Sequence, residues 1–451
     1  MLEPLLPYLE YKDSEQPCFG QIPKHWKVLR NGQIFSQRNQ TGFPDLPILE
    51  VSLKTGVRVR DFENSKRKQV LNDREKYKRV VKGDIAYNMM RMWQGAVGVA
   101  PVGGLVSPAY VVARPLSEVN SQYYSYLFRT HTYMNEVNKY SHGIVTDRNR
   151  LYWDEFKQIP SLFPPYEEQN QIVKYLDFQL MKINRFIKVK QKLILTLKEE
   201  IECYLYGNHE KLDTIIVKSW DTAFPTNWPF VKSKRIFKER NIKNCIDSEL
   251  LAVTQDRGVV YKKDCEHNYV SPSGELSGLK LVRNGDFVIS LRSFQGGIEF
   301  SKIEGIVSPA YTIFCLRNEF SSEEYKLYYK YLFKTKVFIS MLNTLVSGIR
   351  DGKNINYSDF SNKFIPVPPL KTVEQVAKLV RRYEIIKKQF ESELVLLNEY
   401  RTRLISDVVT GKVDVSGVIV EEVAAEDIVM DIVDGETENH QEVLDREECE
   451  V

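Results

Sequence analysis

The chain has 451 residues and a nearly balanced charge, with 63 Lys and Arg against 60 Asp and Glu, or +3 overall. Its hydrophobic content of 43% is enough for packed cores, which excludes a wholly disordered chain. No stretch approaches the roughly 18 apolar residues of a membrane-spanning helix, and the first ten residues lack the pattern of a secretory signal. The six cysteines form no Cys-x-x-Cys pair, so we expect reduced thiols in a cytoplasmic protein and neither disulfides nor a zinc site.

The charge is divided unevenly along the chain. Residues 416–451 contain thirteen acidic residues against the single base Arg446, so this tail carries −12 and residues 1–415 carry +15. A basic body favours a nucleic-acid surface, although a solvated basic surface would have the same composition. We expect the tail to be disordered; the alternative is that its apolar residues, such as Val418, dock a partner.

The chain is a tandem duplication with a period of about 200 residues. The string Val-Ser-Pro-Ala-Tyr at residues 106–110 returns identically at residues 307–311, an offset of 201. Tyr-Tyr-Ser-Tyr-Leu-Phe at residues 123–128 returns as Tyr-Tyr-Lys-Tyr-Leu-Phe at residues 328–333, an offset of 205. Eight such matches keep the same order with offsets between 201 and 206, which indicates two copies of one module.

Each module opens with residues typical of β-strands. A β-branched run over residues 47–53 returns at residues 250–254 and predicts the first strand of each copy. The pattern over residues 96–113 predicts a hairpin whose turn is Gly103-Gly104, and the copy turns at Glu304-Gly305.

An aromatic-rich helix follows in each module, and a basic loop and a short strand complete it. The helix is predicted over about 120–140 in the first copy and about 322–345 in the second. Strands and helices within one unit of this size predict a mixed α/β or α+β domain.

A long helix is predicted after each module. Pro164-Pro165 and Pro368-Pro369 end the preceding strands, and no Pro or Gly then occurs before about Leu205 in the first copy. Apolar residues recur with heptad spacing along both segments, which indicates helices that pack against a partner helix. Each helix would be ~57 Å long, and packing them on each other would hold the two modules apart. The alternative is two amphipathic helices that each lie on their own domain.

The helix-packing residues fall on two seams, interrupted at Lys190 and Glu393. They are Leu180, Ile183, Ile187, Ile194, Leu197 and Ile201 in the first helix, and Leu379, Tyr383, Ile386, Phe390, Leu397, Tyr400 and Leu404 in the second.

The sequence offers little support for catalysis. Pro164-Pro165-Tyr166 is similar to the Pro-Pro-Tyr of amino-methyltransferases, but Phe163 precedes it where those enzymes have a polar residue. Residues 348–353 are one residue short of a phosphate-binding loop, and Asn354 follows where Ser or Thr should hold Mg²⁺. The histidines show no metal-ligand spacing, so we predict no catalytic residue and no metal site.

Both modules provide residues suited to DNA at corresponding places. Lys and Arg bind phosphates, while Arg and Gln can also read base edges. The candidate DNA-binding residues are Arg58, Arg60, Lys66, Arg67, Lys68, Arg91, Gln94, Arg148 and Arg150 in the first module, and Arg257, Lys262, Lys263, Arg292, Gln295, Arg350 and Lys353 in the second. Residues shared by both copies suit phosphate contacts or support of the fold. Base readers should lie where the copies differ, notably at residues 54–80 and 255–281 and in the loops after Gly143 and Gly348.

The whole pattern resembles the specificity subunit of type I restriction–modification enzymes, from Tyr11 to Val415. The strings that carry this resemblance are Tyr-Lys-Asp-Ser at 11–14, Gly-Gln-Ile-Pro-Lys-His-Trp at 20–26, the Glu-Gln pairs at 168–169 and 374–375, and Leu-Ile-Ser-Asp-Val-Val-Thr-Gly-Lys-Val-Asp-Val at 404–415. The second copy has Asn227 in place of His25, which leaves the role of His25 open, and the acidic tail departs from the family pattern.

The resemblance implies a non-catalytic subunit with two tandem target-recognition domains joined by two long antiparallel coiled-coil helices. Each domain would read one half of a bipartite, asymmetric DNA target. The helices would set the unread spacer and dock two modification (methyltransferase) subunits. Restriction (translocase) subunits would join, so that S-adenosylmethionine, ATP and Mg²⁺ belong to partners and this chain binds no cofactor. The domains implied are a first target-recognition domain at 1–165, a central spacer helix at 166–210, a second target-recognition domain at 211–370, a C-terminal spacer helix at 371–415 and the acidic tail at 416–451.

Two other functions remain open from the sequence. A coiled-coil adaptor that joins proteins without sequence-specific DNA binding would also contain paired helices and incidental positive charge. It predicts no salt-dependent DNA affinity, whereas phosphate contacts make affinity fall steeply with salt. A self-contained nuclease–methyltransferase is disfavoured because its motifs are missing.

Overall fold

The two halves of the duplication fold into separate units. A computed structural model describes residues 5–53, 55–60, 74–143, 149–208, 213–218, 220–255, 257–265, 276–345 and 355–420. The first unit comprises residues 1–189 and 392–451, and the second comprises residues 190–391.

The first unit contains twelve short strands and four short helices among its described residues, before a long helix begins. The strands are β1 Tyr11–Asp13, β2 Gln21–Pro23, β3 Lys27–Arg30, β4 Phe35–Gln37, β5 Leu49–Ser52, β6 Gly56–Val59, β7 Lys78–Val80, β8 Ile85–Asn88, β9 Val97–Val99, β10 Gly104–Val106, β11 Tyr110–Pro115 and β12 Pro160–Phe163. The helices are α1 Asn31–Ile34, α2 Ser121–Phe128, α3 His131–Tyr140 and α4 Trp153–Phe156, and the long helix is α5 Tyr166–Leu205.

The twelve strands of the second unit correspond one by one to those of the first among the described residues, and the second unit has one more short helix, α7, where the first has a 3-10 turn at Met92–Gln94. Its strands are β13 Thr214–Val217, β14 Thr222–Pro225, β15 Phe230–Lys232, β16 Phe237–Arg240, β17 Leu251–Thr254, β18 Gly258–Tyr261, β19 Lys280–Val282, β20 Phe287–Ile289, β21 Glu299–Phe300, β22 Gly305–Val307, β23 Thr312–Leu316 and β24 Phe364–Pro366. Its helices are α6 Ser233–Ile236, α7 Ser293–Gly296, α8 Glu323–Leu332, α9 Lys336–Asn343, α10 Tyr357–Ser361 and the long helix α11 Leu370–Val409.

Sheet topology confirms the duplication. The four-stranded sheet of the first unit has the order β4-β11-β8-β9, and that of the second has the corresponding order β16-β23-β20-β21. Antiparallel ribbons recur in the same way: β5 pairs with β6 as β17 pairs with β18, and β12 pairs with β3 as β24 pairs with β15. The mixed α/β or α+β class predicted for each module is therefore confirmed.

The predicted hairpin over residues 96–113 is wrong in its pairing. Strand β9 pairs with β8, whereas β10 pairs with β7 and β11 pairs with β8 and β4, so no strand of the second predicted arm pairs with the first arm. Gly104 is needed for close approach and not for a positive-φ turn, because a Cβ there would lie 2.7 Å from Leu49 Cγ. Gly305 occupies the equivalent place in the second unit, where a Cβ would lie 2.4 Å from the Glu249 carbonyl oxygen.

The single aromatic-rich helix predicted in each module is two helices. Thr130 interrupts the first, since its hydroxyl donates to the Leu127 carbonyl at 2.7 Å and accepts from the Tyr133 amide at 3.3 Å as the N-cap of α3. Thr335 does the same before α9. A threonine that caps a new helix ends the preceding one, because it gives the backbone amides an alternative acceptor.

Gly83-Asp84 recurs as Gly285-Asp286, and both pairs form the same turn, in which the aspartate is buried. Gly83 and Gly285 both have φ of +90°. The Asp84 carboxylate lies 2.6 Å from Arg38 Nε, and the equivalent Asp286 carboxylate lies 3.2 Å from an arginine Nε in the second unit. Burial raises the pKa of Asp286 to about 6, since the charged form is poorly solvated there.

Each long helix contributes residues to the cores of both units. In the first unit, Ile172 and Leu176 near the start of α5 lie in one core cluster with Leu404 and Val408 near the end of α11. In the second unit, residues at the end of α5 and the start of α11 share another core cluster. In each unit the start of one long helix therefore lies beside the end of the other, as in an antiparallel pair. This arrangement contradicts the alternative in which each helix lies on its own domain.

Most of the predicted seam residues are shielded from solvent. Leu180, Ile183, Leu197, Ile201, Phe390 and Leu404 are buried, and Ile187, Ile194, Leu379, Tyr383, Ile386 and Leu397 are half-buried. Tyr400 is 41% exposed, because the neighbouring Arg401 occupies the more buried position of that turn.

The glycine that follows each long helix packs against the Pro-x-x-Trp string near the start of a module, Pro23 to Trp26 or Pro225 to Trp228. Gly411 follows α11 with φ of +74°, and a Cβ there would lie 2.5 Å from Pro23 Cδ and 3.0 Å from Trp26 Cζ3. Gly207 follows α5 with φ of +72°, and its Cβ would clash with Pro225 in the same way. These contacts explain why the Pro-x-x-Trp string and the helix-ending glycine occur in both copies.

Buried tyrosines fix each module to the end of a long helix. In the first unit, Tyr123 donates its hydroxyl to the Val409 carbonyl at 2.9 Å, and in the second unit Tyr328 donates to the Leu205 carbonyl at 2.9 Å. The last carbonyls of a helix have no intrahelical partner, so these hydroxyls satisfy groups that burial would otherwise leave unpaired. Burial in turn raises the pKa of both tyrosines well above their usual range.

The first residues of the acidic tail are packed. Val415 and Val420 are buried in the core of the first unit, and Gln171 donates its amide to the Val415 and Val418 carbonyls at 3.0 and 2.7 Å. The expected disorder is therefore wrong for residues 416–420. Residues 421–451, which hold all thirteen acidic residues, lie outside the described residues.

Candidate nucleic-acid interface

Two predicted basic residues of the first unit share one carboxylate. Arg58 lies on β6 and its Nε is 2.9 Å from Glu50 Oε1 on the paired strand β5. Arg60 Nε lies 4.0 Å from Glu50 Oε2. Glu50 therefore contacts both arginines of the β5–β6 hairpin, which is formed by β5 and β6.

The string Arg-x-x-Gln occurs at residues 91–94 and again at 292–295, and in the first unit it forms an exposed turn between β8 and β9. Arg91 and Gln94 are both exposed, and Gly95 ends the turn with φ of +87°. A Cβ at Gly95 would lie 3.0 Å from the Met134 sulfur of α3, so this turn rests directly on that helix.

Arg150 lies close to that turn in the structure. The backbone of Arg150 pairs with that of His142 at 2.9 and 3.0 Å, and the next amide, Leu151, donates to the Met89 carbonyl at 2.9 Å. Met89 is two residues before Arg91. The structure thus brings the backbone next to Arg150 onto the Arg91 turn, although 59 positions separate the two arginines in the sequence.

The second unit presents its predicted cations differently. Arg257 and Lys263 are exposed and Lys262 is half-buried, on or just after the β17–β18 hairpin. Lys263 lies 3.0 Å from Glu249, and this contact raises the pKa of the lysine. The two units therefore have equivalent hairpins with different charges.

The Arg-x-x-Gln turn of the second unit has the same position as that of the first. Arg292 and Gln295 are exposed, and Arg292 is the residue that precedes α7. Gln255, at the tip of the β17–β18 hairpin, donates its side-chain amide to the Arg292 carbonyl at 3.1 Å. The hairpin tip and the turn are in direct contact here.

Each unit has one further cation at the tip of its hairpin, and the sequence reasoning missed both. Arg129 donates to the Leu53 carbonyl, and Lys334 donates to the Gln255 carbonyl at 3.5 Å and the Gly296 carbonyl at 2.9 Å. Both follow the repeated Tyr-Leu-Phe string, 205 residues apart, and this shared position is the signal that could have found them.

Several predicted residues cannot be located. Lys66, Arg67, Lys68, Arg148, Arg350 and Lys353 lie outside the described residues. DNA binding by each candidate residue stays a prediction.

A cavity of about 390 Å³ in the first unit has the wrong charge for DNA. Its lining includes Glu167, Glu168 and Asp414, and these carboxylates would repel phosphates. His25 Nε2 lies 2.7 Å from Glu168 Oε2, and Trp26 Nε1 donates to Glu168 Oε1 at 2.9 Å. His25 therefore has a partner in the helix-opening Glu-Gln pair.

Neither metal clusters nor membrane-spanning helices are found in the described ranges. No group of three or more His, Cys, Asp or Glu side chains there could hold a metal ion. No helix of the described part combines the length and the apolar character needed to cross a bilayer.

Known proteins resemble this chain along nearly all of its length. Over 442 residues, 91% of this chain and 99% of the relative, it is 22% identical to the putative type I restriction enzyme MjaX specificity subunit of Methanocaldococcus jannaschii. One solved structure, described as the structural basis underlying complex assembly and conformational transition of the type I R-M system, matches with a TM-score of 0.55, 15% identity, and coverage of 87% of this chain and 99% of that one. No protein-family model matches.

A second solved structure gives a weaker match. The HsdS subunit from Thermoanaerobacter tengcongensis is 15% identical with a TM-score of 0.47, over 87% of this chain and 98% of that subunit. The resemblance to type I specificity subunits that the sequence strings indicate is confirmed by the full-length relative, and the fold is confirmed by the structure with the TM-score of 0.55.

Proposed function

We propose that this chain is the DNA sequence-specificity subunit of a type I restriction–modification complex, in which it binds a bipartite, asymmetric target. The observation that carries this proposal is the likeness to a specificity subunit over 91% of this chain and 99% of that relative. The duplicated fold supports it, because two equivalent units suit two half-sites.

The asymmetry of the target follows from differences between the two units. Each unit has a hairpin (β5–β6 or β17–β18), an Arg-x-x-Gln turn and the second helix of its aromatic pair (α3 or α9) at corresponding places in the chain. The first places Arg58 and Arg60 on its hairpin, whereas the second places Arg257, Lys262 and Lys263 on or after its own. The shared Arg-x-x-Gln turns suit phosphate contacts that position each unit, and the divergent hairpins suit base recognition.

In this proposal the chain scaffolds partner subunits and has no catalytic residue of its own. Two modification subunits supply adenine methylation with S-adenosylmethionine, and restriction subunits supply ATP- and Mg²⁺-dependent translocation and cleavage. The complex assembles in the cytoplasm. The exposed apolar residues along the long helices, among them Phe186 and Val189 of α5, favour contact with a partner protein.

The test is to express the chain with the modification subunit encoded beside it and to sequence the methylated adenines of the host DNA. The expected result is one bipartite motif with two different half-sites and a constant spacer. A methylome without such a motif would overturn the proposal. Methyl transfer by the purified chain alone would contradict its non-catalytic role.

A binding experiment separates this proposal from a coiled-coil adaptor. The affinity of the complex for DNA should fall steeply as salt rises, because phosphate contacts release condensed counterions. DNA affinity that does not change with salt would favour the adaptor.

The spacer can be tested through the long helices. Inserting four residues near Lys190 adds about one turn, ~6 Å, to α5. We expect a longer spacer with both half-sites unchanged, read from the same methylome assay. An unchanged spacer would contradict the role of the helices as a ruler.

A further inference from the structure

One cation in each unit holds the tip of the hairpin from which the divergent sequence begins. In the first unit, Arg129 Nη2 donates to the Leu53 carbonyl at the end of β5. In the second unit, Lys334 Nζ donates to the Gln255 carbonyl at the end of β17. Arg129 is the first residue after α2, and Lys334 is the second residue after α8.

The contact itself is duplicated, not only the residues. Arg129 and Lys334 are separated by 205 positions, and the acceptor residues Leu53 and Gln255 are separated by 202. The chemistry of the cation has changed from guanidinium to ammonium, and the accepting side chain has changed from Leu to Gln. Since the acceptor is a backbone carbonyl in both units, the contact tolerates these changes.

Lys334 also binds two groups outside the hairpin, the Glu299 carboxylate and the Gly296 carbonyl. It forms an ion pair with Glu299, whose side chain is 3% exposed, and it donates to the Gly296 carbonyl at 2.9 Å. Gly296 ends α7, which contains the exposed Gln295. A single ammonium group therefore joins the hairpin tip, the Arg-x-x-Gln turn and β21.

In the first unit, the hairpin packs closely against β9 and Arg129. A Cβ at Gly56 on β6 would lie 3.4 Å from Gly98 Cα on β9 and 3.7 Å from Arg129 Nη1. A Cβ at Gly98 would lie 2.6 Å from the Val57 amide nitrogen. Arg129 is thus in contact range of both ends of the hairpin loop, at Leu53 and at Gly56.

The chain beyond these tips is where the two copies differ. The divergent segments, residues 54–80 and 255–281, begin one residue after Leu53 and at Gln255. A cation that binds the carbonyl at this point fixes the end of β5 or β17, beside which the returning strand β6 or β18 pairs.

We propose that Arg129 and Lys334 are positioning residues for DNA recognition, each of which fixes the recognition hairpin of its own unit. This inference rests on the proposed function. It predicts that loss of one cation relaxes the reading of one half-site only, because the other unit keeps its own cation.

The variants are Arg129→Met and Lys334→Met, with Arg129→Lys and Lys334→Arg as conservative partners. Lys157→Met in the first unit and Lys234→Met in the second are matched controls that remove a lysine outside the hairpin contact: Lys157 is half-buried and pairs with Asp154, and Lys234 is exposed. Each is made in the full chain and co-expressed with the modification subunit. Two measurements are compared: the methylome motif, base by base, and the hydrogen exchange of the hairpin amides.

For Arg129→Met, we expect methylation to spread to sites mismatched in one half-site, with discrimination there reduced about ten-fold, and Lys334→Met should affect the other half-site. Hairpin amides at 55–60 or 257–261 should exchange about ten-fold faster or more in the corresponding variant. Arg129→Lys should restore both readouts, because lysine performs the same task at Lys334. The controls should match the wild type.

The outcomes separate the inference from the function on which it rests. A wild-type methylome without a bipartite motif overturns the proposed function. A normal wild-type motif that neither methionine variant relaxes overturns the positioning role alone. Hairpin exchange unchanged in both methionine variants overturns it as well, whatever the methylome shows. Equal relaxation of both half-sites by one variant would indicate a general loss of folding and would also refute the inference.

Discussion

Replacing Gly411 by alanine tests the contact between the two ends of the chain in the first unit. Gly411 has φ of +74°, and a Cβ would lie 2.5 Å from Pro23 Cδ and 3.0 Å from Trp26 Cζ3. A left-handed backbone costs an L-residue roughly 1–2 kcal/mol. Overpacking of a buried contact costs roughly 1–3 kcal/mol more. We therefore expect Gly411→Ala to lower the free energy of unfolding of the first unit by about 2–5 kcal/mol.

The second unit offers an independent repetition of the same perturbation. Gly207 has φ of +72°, and a Cβ there would lie 2.3 Å from Pro225 Cγ and 3.0 Å from Trp228 Cζ2. Because the geometry is the same, Gly207→Ala should destabilise the second unit by a similar amount. Two alanine variants with equal effects would show that the duplication preserved a stabilising contact.

The assay is urea unfolding of the full chain, followed by tryptophan fluorescence, since Trp26 and Trp228 are both buried at these contacts. Gly417→Ala is the matched control, because no heavy atom lies within 4 Å of a Cβ placed there. It should unfold like the wild type. If Gly411→Ala and Gly417→Ala unfold at the same urea concentration, the steric argument is refuted.

Three other changes have defined outcomes. Tyr123→Phe removes the hydrogen bond to the Val409 carbonyl but keeps the ring, so thermal denaturation should report a loss of about 1 kcal/mol, and an unchanged melting temperature would contradict this role. Burial acts to raise the pKa of Glu384, but the ion pair with Lys330 outweighs burial and lowers this pKa below its ordinary value of 4.5. The ion pair therefore stabilises the fold above pH 4.5, and its contribution is lost as the pH falls through the lowered pKa. Glu384→Gln should cost roughly 1–2 kcal/mol at pH 7 and flatten the dependence of stability on pH below 4.5; a variant with the wild-type slope would count against the ion pair. Arg91→Gln should weaken binding to all DNA sequences and reduce the slope of log affinity against log salt by about 0.9, whereas a change in the methylated motif would identify Arg91 as a base reader.

Local patterns predicted the long elements well. The Pro-Pro strings and the absence of Pro and Gly predicted a helix from about residue 167 to Leu205, and the structure has α5 from Tyr166 to Leu205. The heptad spacing also identified the buried side of both long helices, with Tyr400 as the exposed exception. These features are readable because helix hydrogen bonds and heptads join residues only three to seven positions apart.

The candidate site was predicted only in part. Exposed basic residues such as Arg91 and Arg292 could be identified by their repeated string. The cations Arg129 and Lys334 could not be identified from the charge pattern, because their partners are backbone carbonyls at sequence separations of 76 and 79. Every residue has a backbone carbonyl, so residue type does not indicate which carbonyl accepts the hydrogen bond.

By itself the sequence determined the duplication and the two long helices, since these depend on repeated strings and local periodicity. Only the tertiary structure decided which strands pair and which residues meet at the hairpin tips. Strand β10 pairs with β7 and not with its neighbour β9, because the close approach of Gly104 to Leu49 places β10 beside the β5 ribbon. Such pairing is a long-range choice made by packing, and two strands with the same alternation of side chains are equally compatible with either partner until the chain is folded.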